Sequence, residues 1–348
     1  MIKSQASMLS PLGFSSTLVG AGMFALPAVV APAYAEGPSL NYETLSSIEE
    51  PLATEVGDVT LLLRGVLDLP LSADLENTSG VDVNFTGNFE VNAETQMANQ
   101  LTIGAIYFGQ YQTDRDGTDD KYSDNVAAYV EGVWGQVIAG NVSGIVREQT
   151  RRERGVGNAS LSFDDNYGQL DDLGGAYIGR YGPIVLSGVV DEDAKFDLGF
   201  MFQRPLGNKD YRLTARVTEG TYTSSDGTAR FDTTGVGIVA ELVYGSSQFD
   251  VGAGYEGFSS TALDVERWYV SAGARTKIDV VSFSIEGHYG EVEGQEEVSA
   301  ALGAQYDIAR GLSANLGFNY AYAPISFSGA GFNNEQGTKG IVSLRYVY

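Results

Sequence analysis

Gly340-Ile-Val-Ser-Leu-Arg-Tyr-Val-Tyr348 alternates without a break. Val342, Leu344, Tyr346 and Tyr348 share one face, and Ile341, Ser343, Arg345 and Val347 share the other. Successive side chains of a strand point to opposite sides of its sheet. The first face is apolar or aromatic throughout, and the second carries a charge. The same pattern fills most of the chain. In 58–69, Val59, Leu61, Leu63, Leu67 and Leu69 oppose Asp58, Thr60, Arg64 and Asp68. In 81–92, Val81, Val83, Phe85, Phe89 and Val91 alternate with Asp82, Asn84, Thr86, Asn88, Glu90 and Asn92. One face meets an apolar medium and the other meets water, with almost no helix between. That is the pattern of a membrane-spanning β-barrel.

Further strands read near 100–112, 125–134, 135–142, 175–181, 183–190, 195–204, 210–219, 231–244, 248–258, 265–277, 281–292, 297–308, 312–323 and 338–348. With the first two they predict an all-β, sixteen-stranded antiparallel transmembrane barrel. The connections sort by parity. Short ones fall at Gly135, Gly182-Pro183, 206–209, 245–247, Asp279-Val280 and Arg310-Gly311. Long polar ones fall at 70–80, 113–124, 143–174, 220–230 and 324–337, and two on that side, near 191–194 and 259–264, are short. Outer-membrane barrels place short turns in the periplasm and long loops outside. A β-solenoid needs a fixed repeat, and none is present. A soluble barrel buries its apolar face inward, but sixteen strands enclose a lumen too wide for side chains to fill. The polar face is therefore expected to be the inner one.

Residues 1–35 read as an export signal. Lys3 supplies the basic start, Leu12–Val30 is apolar and small, and Ala33-Tyr34-Ala35 is an A-x-A cleavage site. Residues 36–57 show no clear periodicity and read as a periplasmic N-terminal extension before a barrel spanning 58–348. The formal net charge is −24, which argues against a nucleic-acid partner, because phosphate contacts need basic patches. There is no cysteine and only one histidine, His288. Thiol chemistry and structural zinc are excluded, and no cofactor is expected. The chain holds 44 glycines, 20 tyrosines and 16 phenylalanines, a composition that suits strands with aromatic girdles.

The tight hairpin Tyr129-Val-Glu-Gly-Val-Trp-Gly-Gln-Val-Ile-Ala-Gly-Asn141, the long segment after it and the terminal aromatic Tyr348 resemble the trimeric general porins of Gram-negative outer membranes, especially the alphaproteobacterial type. Tyr348 stands where that family usually ends in Phe. The 36–57 extension is a larger departure. The resemblance implies a homotrimer, and a constriction loop at 143–174 whose acids face basic residues on the wall. By position those acids are Asp164, Asp165, Asp171 and Asp172.

Arg147, Arg151, Arg152 and Arg154 cluster at the start of the same loop. They either line the constriction, or form a local salt-bridge network, or touch anionic lipid headgroups. Strand parity turns Arg64, Arg212, Arg216, Arg267, Arg275 and Arg345 inward, since a base on the lipid face costs about 2–4 kcal/mol at the bilayer midplane. Arg64 and Arg345 become neighbours if the barrel closes. They form a basic wall opposite the loop acids, or they satisfy carboxylates such as Asp68 and Glu90. Asp114, Asp116 and Asp120, around Gly117, resemble part of a calcium loop but lack its bidentate Glu; a solvated acidic turn is the plainer reading. His288 shares a face with Ser282 and Ser284, yet no nucleophile motif surrounds them.

The expectation is a water-filled channel of the outer membrane, passing small hydrophilic solutes and ions and performing no chemistry. Its partners are its own copies, outer-membrane lipid and lipopolysaccharide. A substrate-specific channel and a structural or adhesive barrel are the alternatives.

Overall fold

The computed structural model describes residues 52–76, 80–113, 121–152, 155–170, 173–223, 230–261, 263–323 and 336–348. The signal segment, most of the extension and the acids at 114, 116 and 120 lie outside the described residues.

Eighteen strands form one antiparallel sheet. The first nine are β1 (Leu52–Val56), β2 (Val59–Asp74), β3 (Val81–Val83), β4 (Thr86–Gln96), β5 (Thr102–Gln112), β6 (Lys121–Gly132), β7 (Gly135–Asn141), β8 (Leu173–Tyr181) and β9 (Ile184–Asp191). The rest are β10 (Phe196–Leu206), β11 (Lys209–Thr223), β12 (Arg230–Tyr244), β13 (Ser247–Ser259), β14 (Asp264–Ile278), β15 (Val281–Val292), β16 (Gln295–Ala309), β17 (Leu312–Tyr322) and β18 (Gln336–Val347). One short helix, α1 (Ile145–Thr150), lies between β7 and β8.

The sheet closes on itself. The terminal strand β18 pairs with β2, Leu344 against Leu69 and Arg345 against Asp68. The strands β3 and β4 both pair with β2, at Leu71–Ala73 and Val59–Asp68, and so share one wall position with a break at Asn84-Phe85. The wall thus has sixteen positions. The strand β1 is additional: it pairs with Val59–Leu63 of β2, on the same edge that β18 occupies higher up. No periodicity in 52–56 announces it.

Side chains obey the alternation. Val342, Leu344, Phe318, Leu302 and Ile285 stand out from the wall exposed, while Ser343, Asn315, Ser299, Ser284 and Glu286 point inward and are buried. Trp134, Tyr244, Tyr255, Trp268, Tyr289, Tyr306, Tyr320 and Tyr322 also face outward. An apolar face around the whole circumference is stable against hydrocarbon and not against water. Among the described residues no helix is long and apolar enough to cross a membrane.

The inner face is not uniformly polar, which corrects the sequence expectation. On β6–β9 it carries Ala127, Tyr129, Ile138, Ala176, Ile178, Val185 and Val189, and Val142, Ile145 and Val146 from the segment that enters the lumen join this patch at its β9 side. In Ile184-Val-Leu-Ser-Gly-Val-Val-Asp191, Val185 and Val189 share the inner face with Ser187 and Asp191, and α1 covers that face. Higher in the lumen, Phe231, Phe258, Val265 and Val292 form a second apolar patch against Tyr167 and Tyr222.

Candidate functional site

The segment between β7 and β8 folds inside the barrel. With only seven residues in β7, the wall there is low, and the chain turns over its rim into the lumen. Gly144 makes the turn at φ +76, a left-handed conformation that costs glycine little. Helix α1 follows, packs on β9–β11, and adds Ile145 and Val146 to that apolar patch. Its last turn is tied to the wall: Thr214 Oγ1 donates to the Thr150 carbonyl and the Arg212 guanidinium to that of Gln149.

Beyond α1 the chain lies flat on the inner face. The Val156 amide donates to Ser284 Oγ at 3.0 Å, and Asn158 Nδ2 to Ser343 Oγ at 3.0 Å. This close approach needs a bare wall. Gly303 and Gly317 are direct cross-strand partners. A Cβ on Gly303 would stand 1.9 Å from the Val156 carbonyl oxygen, and one on Gly317 would stand 2.4 Å from the Asn158 backbone. The segment then doubles back higher up. Ser299 Oγ donates to the Ser162 carbonyl at 2.6 Å, Glu256 accepts the amides of Tyr167 (2.8 Å) and Gly168 (2.7 Å), and Gln169 exchanges backbone bonds with Thr221. The loop is thus a two-ply band laid on the β9–β18 half of the wall.

Charge pairs fix the band. Arg152 is 3 % exposed and meets three carboxylates: Asp164 of the loop (3.3 Å), Asp250 of β13, and Glu286 of β15 (3.0 Å). Arg216 joins Asp197 (2.9 Å) to Asp165 (3.3 Å). Arg267, fully buried, holds Glu297 at 2.8 Å, donates to the carbonyls of Phe163 and Asp165, and stacks over the rings of Tyr167 and Tyr269. Arg147 holds Asp165 at 2.6 Å, and that carboxylate keeps its guanidinium above the ordinary arginine value. Arg151 holds Glu148 at 2.5 Å. At the edge of the band, Arg345 holds Asp68 at 2.6 Å and donates to Asn158 Oδ1 at 3.0 Å, and beyond it on β2 Arg64 holds Glu90 at 2.8 Å.

Arg64, Arg147, Arg151, Arg152, Asp164, Asp165 and Arg345 thus all lie in the lumen. The structure pairs Arg152 with Asp164, Arg147 with Asp165 and Arg151 with Glu148, and Arg345 meets the loop at Asn158. Arg64 stands apart on the uncovered wall. Arg154, Asp171 and Asp172 lie outside the described residues. His288 is buried, 3.1 Å from Glu297 and stacked on Tyr269. Sequence reasoning missed the wall carboxylates Asp197, Glu241, Asp250, Glu256, Glu286 and Glu297 that receive the arginines. Strand parity shows that they point inward, but only the barrel register shows which lie level with the loop.

No family model and no curated protein matches this sequence. Solved structures do. OmpT, an in-vitro folded outer-membrane protein of Vibrio cholerae in its trimer form, aligns at 13 % identity over 83 % of this chain and 99 % of its own, with a TM-score of 0.64. An anion-selective porin from Comamonas acidovorans aligns at 13 % identity over 83 % and 100 %, with a TM-score of 0.60. A triple mutant of the Rhodopseudomonas blastica porin aligns at 14 % identity over 83 % and 100 %, with a TM-score of 0.50. The class these likenesses define is one of fold: a closed sixteen-stranded barrel of the outer-membrane porin kind.

Proposed function

We propose that this chain is an outer-membrane porin: a water-filled channel that lets small hydrophilic solutes and ions diffuse passively. The observation that carries the reading is the internal band. It lies against one half of the wall and leaves the other half uncovered, which narrows the lumen while keeping charged side chains on both sides of the gap in contact with water. The Arg64 and Arg147 side chains each remain 30 % exposed. Fixed charges at such a narrowing select solutes by their local field. No catalytic role is assigned: His288, the only histidine, is occupied by Glu297 and by stacking.

The barrel is exported through residues 1–35 and inserted with its short turns in the periplasm and its loop end among lipopolysaccharide headgroups. A homotrimer is supported by the trimeric form of the Vibrio neighbour. It is supported also by a row of small outward residues that are successive cross-strand partners: Ala93, Ala105, Ala128, Ala139 and Gly175. Such a band lets another copy approach closely.

Purified protein reconstituted in a planar bilayer is expected to give stepwise, voltage-tolerant conductance, and crosslinking in detergent to give a trimer. A folded barrel that conducts nothing would leave a structural or adhesive role as the reading. Block of the current by one sugar or anion at low concentration would make it a substrate-specific channel.

A further inference from the structure

Arg147, Arg151 and Arg152 of the loop are paired with carboxylates, whereas two carboxylates of the uncovered wall have no base within ion-pair distance among the described residues. These are Glu94 on β4 and Glu131 on β6. Glu94 accepts hydrogen bonds from the Tyr129 hydroxyl at 2.7 Å and from Asn92 Nδ2 at 3.3 Å. The Tyr129 ring reaches it across Gly104, where a Cβ would stand 2.2 Å from the ring. Glu131 is exposed and lies directly opposite Gln136 of β7. Gln136 is 2 % exposed, and neither atom of its amide has a hydrogen-bond partner. A buried amide left without partners is costly, so this one is built to meet a group that arrives from the lumen. Arg180 is the base whose charge acts on Glu131, and it offsets part of the field.

We propose that Glu94, Glu131 and Gln136 form a cation-attracting step at the turn end of the pore, and that they set its preference for cations. Two carboxylates and an amide carbonyl oxygen are acceptors for an ammonium group or for the water shell of a metal ion. The described loop arginines are offset, because Arg147, Arg151 and Arg152 each hold a carboxylate. The polarity is opposite to that named for the Comamonas neighbour. This inference rests on the porin reading above.

The test is the reversal potential of single channels in a potassium chloride gradient at low ionic strength. One unit charge about 6 Å from a passing ion in water changes its local concentration about threefold. The wild type is expected to favour potassium. The double variant Glu94→Gln, Glu131→Gln is expected to lose about tenfold of that ratio, the combined effect of two such charges. Gln136→Glu should raise it. Salt at about 1 M should shrink all these differences, since screening there acts within about 3 Å. A wild type that favours chloride overturns the inference. So does a ratio unmoved in conducting double and Gln136→Glu channels whose heat-shifted gel migration matches wild type. A wild type that gives no current overturns the porin reading itself, which separates the two failures.

Discussion

Arg152 concentrates the chemistry of the loop in one side chain. It is buried to 3 % exposure among Asp164, Asp250 and Glu286, so it joins the loop to itself and to two strands. Removing one partner of a buried pair costs about 3–5 kcal/mol, because the other charges stay buried and uncompensated. Arg152→Ala is therefore expected to loosen the band while the wall stays closed. The readout is rapid flicker in single-channel current and faster protease cleavage within 143–170, at unchanged heat-shifted migration. Arg152→Lys should restore only part of the quiet state, since an ammonium cannot reach three carboxylates with a planar fork. Acid should act in the same direction. A protonated carboxyl no longer pairs with the guanidinium of Arg152, Arg216 or Arg267. Current noise should rise on acidification and recover on return to pH 7. At this scale the sequence was half legible. The cluster of arginines at 147–154 stood out because charge in a long loop is conspicuous. Their partners did not, because Asp250 and Glu286 look like any inward acid on an alternating strand.

The glycine pair Gly303–Gly317 shows how one element seats another. Paired across β16 and β17, they leave a bare strip on which residues 156–158 lie against the wall. Gly303→Val puts side-chain atoms where the Val156 carbonyl sits, and backbone cannot be displaced by a rotamer change. The band is expected to shift toward the pore axis, with a fall in single-channel conductance and no change in strand content by circular dichroism. The strand β9 is the other lesson at this scale. Its sequence was readable as a strand, but the expectation of a polar inner face did not allow for an internal helix. Val185 and Val189 are inward and apolar because α1 covers them, and runs apolar on both faces are the general mark of a strand buried on both sides. That signal was only partial in 184–191, where Ser187 and Asp191 share the inner face. The strand β1 had no such signal: all five of its residues are exposed, so no burial pattern marks it.

For the whole molecule, alternation and loop parity were enough to predict a closed sixteen-stranded wall, and the structure has one. Alternation is dictated by what lies on either side of every strand, so it survives in the sequence wherever a membrane is present. The path of the loop is not so dictated. It depends on which wall residues are level with it, and level is a property of register, which the chain acquires only on closing. The strand β1 covers Val59–Leu63 of β2 below the point where β18 ends. Unpaired edge backbone is a template for unwanted pairing. Deleting residues 36–56 is therefore expected to leave the β18–β2 seam and the pore intact while promoting aggregation. Size-exclusion profiles and heat-shifted migration of the truncated protein check both parts.

The seam itself has a kinetic consequence. Arg345 and Asp68 face each other although they are 277 residues apart along the chain. Gly65 and Tyr348 exchange two backbone hydrogen bonds, at 2.9 and 3.0 Å, at the foot of the same seam. Local hairpins can form early and quickly, but none of them completes the ring. The last contact made joins the most distant parts of the chain, and contacts of that separation are slow to form. Until then β2 and β18 both present open edges in whatever compartment the chain is crossing, which makes the unclosed intermediate the species that needs an escort.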